Sequence, residues 1–556
     1  MARKRTVIYQ VFTRLFGNDN CKKVPHGTKA MNGCGHMSDF TLKALKEIRQ
    51  LGTTHIWYTG IIEHATQTHY TQYGIQCDHP AVVKGKAGSP YAIKDYYDVD
   101  PDLATKVPER MKEFELLVER THKAGLKCII DFVPNHVARQ YHSDASPAGT
   151  DDLGSADDKN VRFSANNNFY YIPNEELHAA DFDLQGYHET PAKATGNDVM
   201  HAWPGRNDWY ETIKLNYGVD YDGGRVGHFS PIPDTWHKML AIVLFWARKG
   251  VDGFRCDMAE MVPVEFWQWM IPAVKAQYPE LIFIAEVYNP AEYRNYIFNG
   301  HFDYLYDKVG MYDALRAVTR GEASAQCITQ NWQNVDDIRE HMLYFLENHD
   351  EQRLASDFFA TDARKGKAPL LVCALLHKNP MMIYFGQELG ERGMEAEGFS
   401  GMDGRTTIFD YWCVDSVKRW RNKGKFDGKL LTEQELALQD FYRKVLTLCN
   451  SSEAAQEGDF HDLMYANAHL HEQYAFVRYT EKECLVIVAN FSAHKQNVHI
   501  HLPAHLFECL DGFAQNAHAE FEDLLTGNHI FTGFTETAPM SMDLPAWSGC
   551  VWKLIK

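Results

Sequence analysis

Gly250-Val-Asp-Gly-Phe-Arg-Cys-Asp-Met-Ala-Glu260 follows the amphipathic run Asp234 to Lys249, and the reading of this stretch decides the fold. A helix-period segment stopped by Gly and followed at once by a short apolar run leads the chain from a helix into a buried parallel strand. The stretch therefore predicts a strand over Phe254 to Met258. Side chains alternate along a strand, so Arg255 and Asp257 share a side, and a guanidinium beside a carboxylate favours its ionised form and lowers its pKa. That environment suits a nucleophile. On this stretch alone, a structural ion pair at a strand end is the alternative.

Working outward, strand-like runs recur at Val7 to Phe12, His55 to Thr59, Cys128 to Val133, Phe254 to Met258, Phe283 to Val287, Phe302 to Tyr306, Leu343 to Leu346 and Met381 to Phe385. Amphipathic stretches lie between them, among them Leu42 to Leu51, Val107 to Lys123, Asp234 to Lys249 and Val264 to Ala276. Eight β-then-α units close most economically into a (β/α)8 barrel, an α/β TIM-type fold, with a doubly wound open sheet as the alternative. Thr432 with Glu435 has the spacing of a capping box and opens the last helix, Glu433 to Cys449.

Almost a hundred residues separate the third strand from the helix at Asp234, and connections of that length are usually functional. Their content of Asn, Asp, Gly and aromatics predicts an irregular inserted domain on the catalytic face. Beyond residue 455 the texture turns to alternating runs such as Tyr474 to Tyr479 and Cys484 to Asn490, which predicts an antiparallel β-sandwich domain. The expected division is barrel over 1–136 and 234–452, insertion over 137–233 and C-terminal domain over 453–556.

The chain has 556 residues, 45% hydrophobic and 23% charged, which suits a soluble globular protein with a large core. Its formal charge of −18 works against nucleic acid or an acidic membrane surface as partner. No run approaches the about 18 apolar residues of a membrane span. Met1-Ala-Arg-Lys-Arg-Thr leads into Val7 without a signal-type apolar region, so the expected location is cytoplasmic, with export after loss of a signal peptide as the alternative. The twelve cysteines are scattered without a Cys-x-x-Cys pair and are read as reduced.

In such a barrel, catalytic groups sit at the C-terminal ends of strands. The third predicted strand ends Asp131-Phe-Val-Pro-Asn-His136, the fourth carries Arg255 and Asp257, the fifth ends Ala285-Glu-Val287, and the seventh ends Glu347-Asn-His-Asp350. Two facing carboxyl groups are what glycosidic cleavage requires, one to protonate the leaving oxygen and one to attack or stabilise the oxocarbenium-like centre. Asp257 suits the second role. Glu286 follows an apolar run with no cation near it in sequence, which predicts the raised pKa of a general acid. Asp350 is left to bind the sugar, and His136 and His349 to donate to its hydroxyls.

These four stretches, in this order, resemble the signature regions of the α-amylase superfamily (glycoside hydrolase family 13), retaining enzymes that act on α-glucosidic bonds. Tyr9-Gln-Val-Phe-Thr-Arg-Leu-Phe, Ser89-Pro-Tyr-Ala-Ile-Lys-Asp-Tyr-Tyr-Asp-Val-Asp-Pro and Phe385-Gly-Gln-Glu-Leu-Gly extend the similarity over most of the barrel. The resemblance implies Asp257 as nucleophile, Glu286 as acid/base and Asp350 as transition-state stabiliser. It implies Arg255, His136 and His349 around the reacting glucose, and Tyr91 as the aromatic platform beneath it. The substrate would be an α-glucan or maltooligosaccharide, cut at α-1,4 bonds without a cofactor. A transglycosylase on the same site and a non-catalytic carbohydrate-binding or transporter-associated homologue are the alternatives.

Two departures stand out. Where many α-amylases have a Lys-His pair beyond the nucleophile, this chain has Glu260 and Met261. The family often holds a structural calcium between barrel and insertion, and Asn135 matches one usual ligand. The missing histidine is the usual donor of a backbone carbonyl to that ion; hard oxygen ligands in Asp151 to Asp158 could compensate, which leaves a structural calcium as one possibility.

Overall fold

The structure is a computed structural model that describes residues 5–555. The reading of the extreme N-terminus rests partly on Met1 to Lys4, which lie outside the described residues. Eight parallel strands close into a barrel: β1 (Val7–Phe12), β2 (His55–Thr59), β3 (Lys127–Phe132), β4 (Gly253–Cys256), β5 (Ile282–Ala285), β6 (Tyr304–Tyr306), β7 (Met342–Phe345) and β8 (Met381–Tyr384). Each strand pairs with its neighbour in chain order, and β8 pairs with β1. The open-sheet alternative is excluded by that closure.

The helix before β4, Asp234–Arg248, has an acid in its first turn and a base in its last, both favourable to the helix dipole. It buries Trp236, Met239, Ile242, Val243 and Trp246 against the barrel, each such side chain contributing about 1.5–3 kcal/mol. Gly250 then takes φ 90°, the left-handed turn that ends the helix and aims the chain at the sheet. Gly253 opens β4 because a Cβ there would lie 2.5 Å from Ile282 Cγ1 of the neighbouring strand. The close approach of β4 to β5 depends on that missing atom.

Both strands are shorter than the sequence predicts. β4 stops at Cys256 and β5 at Ala285, so Asp257 and Glu286 are each the first residue past a strand end. Met258 adopts φ 44° and its amide donates to Glu286 Oε2 at 2.8 Å, which turns the chain away from the ladder at that point.

Between Ala138 and Asp234 the described residues form no helix, only short ladders: His136–Ala138 with Thr212–Lys214, Tyr171–Ile172 with Ala192–Lys193, and Val219–Asp220 with Val226–Gly227. This insertion has a small core of Ile172, Leu177, Ala192 and Ala202. The capping box at Thr432 is formed, and its helix runs Glu433–Ser451.

The chain then enters an antiparallel sheet of β9 (Asp459–Asp462), β10 (Gln473–Tyr479), β11 (Cys484–Asn490), β12 (Asn516–Asp523), β13 (His529–Phe534) and β14 (Ser548–Leu554). The spatial order is β9-β10-β11-β14-β12-β13. A ribbon of Gln496–Ile500 and Met540–Leu544 accompanies it. Cys21 and Cys413 are joined, with Cα atoms 5.1 Å apart, which corrects the expectation that all twelve thiols are free. Cys128, Cys256, Cys373 and Cys484 are buried core residues. No helix among the described residues is long and apolar enough to cross a membrane.

Candidate active site

Parallel pairing sets Arg255 of β4 beside Asp131 of β3. Past the strand ends, the amide of Glu286 donates to Cys256 O, which brings Glu286 alongside Asp257. Three carboxylates thus surround one guanidinium that is completely buried. Arg255 NH1 donates to Asp257 Oδ1 at 2.6 Å and lies 3.6 Å from Asp131 Oδ1, while NH2 lies 2.8 Å from Glu286 Oε2. Its Nε donates to Tyr306 Oη at 3.2 Å, and the rings of Trp57, Tyr91 and Tyr306 each lie within 5.5 Å of its charge. A buried arginine so enclosed stays protonated: the Glu286 carboxylate raises its pKa well above the ordinary value against the cost of burial.

Glu286 therefore has a cation against it, contrary to the sequence expectation. The reason is cross-strand: Arg255 is remote from Glu286 along the chain but lies on the adjacent strand. Tyr288 Oη donates to the other oxygen, Glu286 Oε1, at 2.5 Å. The sequence also predicts that Arg255 depresses Asp257. In the fold, burial pushes the Asp257 carboxyl up, Arg255 opposes this, and Glu286 and Asp350 push it up further, so it lies well above the usual range. Burial, aided by Glu286, raises Asp350 to about 7.

Asp257 Oδ2 is left facing the cleft, 4.0 Å from His136 Nε2. The Asn135 amide lies 3.1 Å from His136 Nδ1 and supplies the proton there, which leaves Nε2 as the protonated nitrogen of the ring. His349 is arranged likewise, with Gln10 Nε2 2.8 Å from Nδ1, and Nε2 3.1 Å from Asp350 Oδ2 and bonded to the Tyr91 hydroxyl. Burial lowers His136 to about 3 and drives His349 well below its usual value, so both rings are neutral donors. The Tyr91 and His349 rings stack at 5.1 Å. Glu347, at the end of β7, is used structurally: it pairs with buried Arg353 at 3.0 Å and accepts from the Leu354 amide at 2.7 Å.

The structure thus brings together Asp257, Glu286, Asp350, Tyr91, His136, Arg255 and His349. It adds Asp131, Gln10, Trp57 and Tyr288, which the sequence reading did not assign. Tyr288 was accessible as the residue two beyond Glu286. All seven predicted residues except Arg255 and His349 line a cleft of about 850 Å³. The insertion contributes Arg206, Trp209 and Tyr210 to one wall, and the segment from Glu397 to Asp410 contributes another. Trp209 lies 5.2 Å from the His136 ring. Trp203 instead stacks on His178 at 4.1 Å and is 52% exposed.

Asn135 does not fit the metal expected of it. Its side-chain oxygen accepts from the Lys214 ammonium, and its amide donates to Gly196 O at 2.8 Å. Three of the carboxylates in Asp151 to Asp158 are taken up by backbone amides. Asp152 accepts from Ser143 N and Leu153 N, Asp157 from Asn168 N and Phe169 N, and Asp158 from Asn160 N.

The sequence model described as alpha amylase, catalytic domain, matches residues 10–428. Neopullulanase 2 of Thermoactinomyces vulgaris is 22% identical over 522 residues, covering 90% of this chain and 72% of its own. The α-1,4-glucan:maltose-1-phosphate maltosyltransferase of Cereibacter sphaeroides is 23% identical, covering 83% of this chain and 68% of its own. Among solved structures, the α-amylase of Geobacillus thermoleovorans in complex with acarbose superposes with a TM-score of 0.63 at 19% identity, covering 99% of this chain and 98% of that one. At such identity the superposition speaks for the fold.

Proposed function

The chain belongs to the α-amylase family, and on that premise we propose that it is a retaining glycoside hydrolase of α-1,4-glucosidic bonds in α-glucans or maltooligosaccharides. The observation that carries this reading is the shared guanidinium. Arg255 holds Asp257 at 2.6 Å and Glu286 at 2.8 Å. Two carboxyls gripped by one planar group belong with retaining pairs, about 5–5.5 Å apart, rather than with inverting pairs that leave about 6.5–9.5 Å for a water.

With Oδ1 tied to Arg255, Asp257 Oδ2 is the oxygen that attacks the anomeric carbon. Glu286 gives its proton to the glycosidic oxygen as that bond breaks, leaving a glucosyl ester on Asp257. Water attacks the anomeric carbon as Glu286 takes its proton, the bond to Asp257 Oδ2 breaks to release the carboxylate, and the anomeric carbon returns to the α configuration. Asp350 and the neutral His136 and His349 hold the ring hydroxyls, and Tyr91 supports its apolar face. We further propose that residues 1–136 and 234–452 carry this chemistry, that 137–233 shape the cleft and that 453–556 pack as the C-terminal domain.

Proton NMR of products during the first turnovers tests the reading. The α-anomer is expected first, and early β-anomer would remove Asp257 from its role. A transglycosylase uses the same ester and differs only in which hydroxyl resolves it; the likeness to a maltosyltransferase supports keeping that reading. Chromatography of products from maltotriose, pullulan and soluble starch separates the two, since transfer yields products longer than the substrate.

A further inference from the structure

We propose that the ammonium of Lys214 takes the place of the divalent cation that joins insertion to barrel, so that this join needs no metal. Three oxygens converge on Lys214 Nζ, one from each side of the junction and one from the turn beyond the nucleophile. Asn135 Oδ1, at the end of the third barrel strand, accepts from it. Asp198 Oδ1 of the insertion lies 2.7 Å away. Met261 O, three residues past Met258, lies 3.4 Å away.

Position and charge both support the assignment. Lys214 is buried, and its strand pairs antiparallel with His136–Ala138, so that Lys214 stands directly opposite His136. That ladder fixes the stem of the side chain, and little freedom remains for it to swing away. The converging oxygens bring a single negative charge, that of Asp198, which one ammonium balances. The other charge acting on Lys214, Arg225, is also positive. Calcium takes about 6–8 oxygens and favours several carboxylates among them, and neither is present.

The same contact has a consequence for the site. Lys214 fixes which end of the Asn135 amide faces it, and so leaves the NH2 end for His136 Nδ1 at 3.1 Å and Gly196 O at 2.8 Å. Lys214 is therefore a positioning residue for His136, acting through Asn135.

The experiment uses the full-length protein and calcium chloride as probe, with melting temperature and bound-metal content as readouts. Both are independent of whether the catalytic assignment holds. After dialysis against EDTA, the native protein is expected to contain no stoichiometric calcium and to melt at the same temperature with and without added calcium. Lys214→Ala is expected to melt lower in EDTA and to stay lower when calcium is added, because three oxygens with one carboxylate among them are too few to hold that ion. A native protein that retains calcium or is stabilised by it would overturn the proposal, and this arm stands even if the variant does not fold. A variant that melts like the native protein in EDTA would overturn the bridging role. One that calcium restores to the native melting temperature would overturn the claim that these oxygens do not suit a divalent ion.

Discussion

Asp350→Asn should stabilise the protein at neutral pH while removing activity, because the carboxyl it replaces is held against its own ionisation. Burial and Glu286 raise Asp350 to about 7 from an ordinary value of 3.8. A carboxyl raised in this way contributes nothing below pH 3.8, where folded and unfolded chains both bind the proton. Between 3.8 and about 7 the unfolded chain releases the proton and the folded one keeps it, so stability falls as pH rises, and the cost is complete above about 7. Three pKa units correspond to about 4 kcal/mol. That figure is an upper bound, since 33% of the side chain is open to the cleft and Glu286 and Arg255 act on the same charge in opposite senses. Screening and coupling reduce it to about 1–2 kcal/mol. The amide keeps the size of the carboxyl and an acceptor for His349 Nε2. Thermal melts of both proteins at pH 4 and pH 8 should therefore show a gain for the variant of a few degrees at pH 8 and little or none at pH 4. An equal gain at both pH values, or a variant less stable at pH 8, would refute the argument that this charge is destabilised by the fold.

Three further outcomes are expected. Asp257→Asn should abolish turnover of every substrate, whereas Glu286→Gln should lose about 100- to 10,000-fold on maltotriose and far less on a maltosyl fluoride, which needs little protonation. Equal losses on both substrates, measured as kcat/KM, would remove Glu286 from the acid role. Trp209→Ala should raise KM for maltoheptaose more than for maltotriose, while Trp203→Ala, outside the cleft lining, should change neither; reversed results would exchange their roles. Efficiency per scissile bond should be higher on maltooligosaccharides than on soluble amylose, because Glu260 and Met261 put no cationic donor on the leaving-group side and Glu260 Oε2 is occupied by the Asn289 amide at 3.0 Å. A steep rise towards the polymer, with random internal cuts, would refute that reasoning.

The barrel was legible because each strand is a short apolar run bounded by Gly or polar residues, and such runs are specified locally. β1 and β2 fall on the predicted residues, and the others shift by one or two. The shifts at β4 and β5 have a common cause. Asp257 and Glu286 extend their apolar runs in sequence, yet each leaves the ladder to reach the rim, and only the fold shows where the turn begins. The candidate site residues were legible one strand at a time, as polar residues ending apolar runs. Their electrostatics were not, because the strongest charge interactions cross between strands. Arg255 was assigned to Asp257 alone, as its neighbour two residues away, when register also gives it Asp131 and Glu286.

The partner of Asn135 escapes the sequence for the same physical reason carried over a longer distance. On the sequence Asn135 stands with the acidic stretch Asp151 to Asp158, whereas in the fold its side-chain oxygen meets Lys214, 79 residues away. Nothing in the sequence around Lys214 marks it: Thr212 to Lys214 is a three-residue strand within an irregular segment, without a periodic pattern to place it. What places it is pairing with His136, and that pairing becomes visible once the insertion is folded back onto the third strand. A cation carried on the chain also differs from a bound ion in what it demands of its surroundings. It arrives with a fixed stem and a single charge, so one aspartate and two neutral oxygens suffice where an ion would need a larger shell. The loss of the Lys-His pair after the nucleophile and the presence of a lysine in the insertion are then parts of one arrangement. Met261 still offers its backbone carbonyl to the junction, 3.4 Å from the Lys214 ammonium.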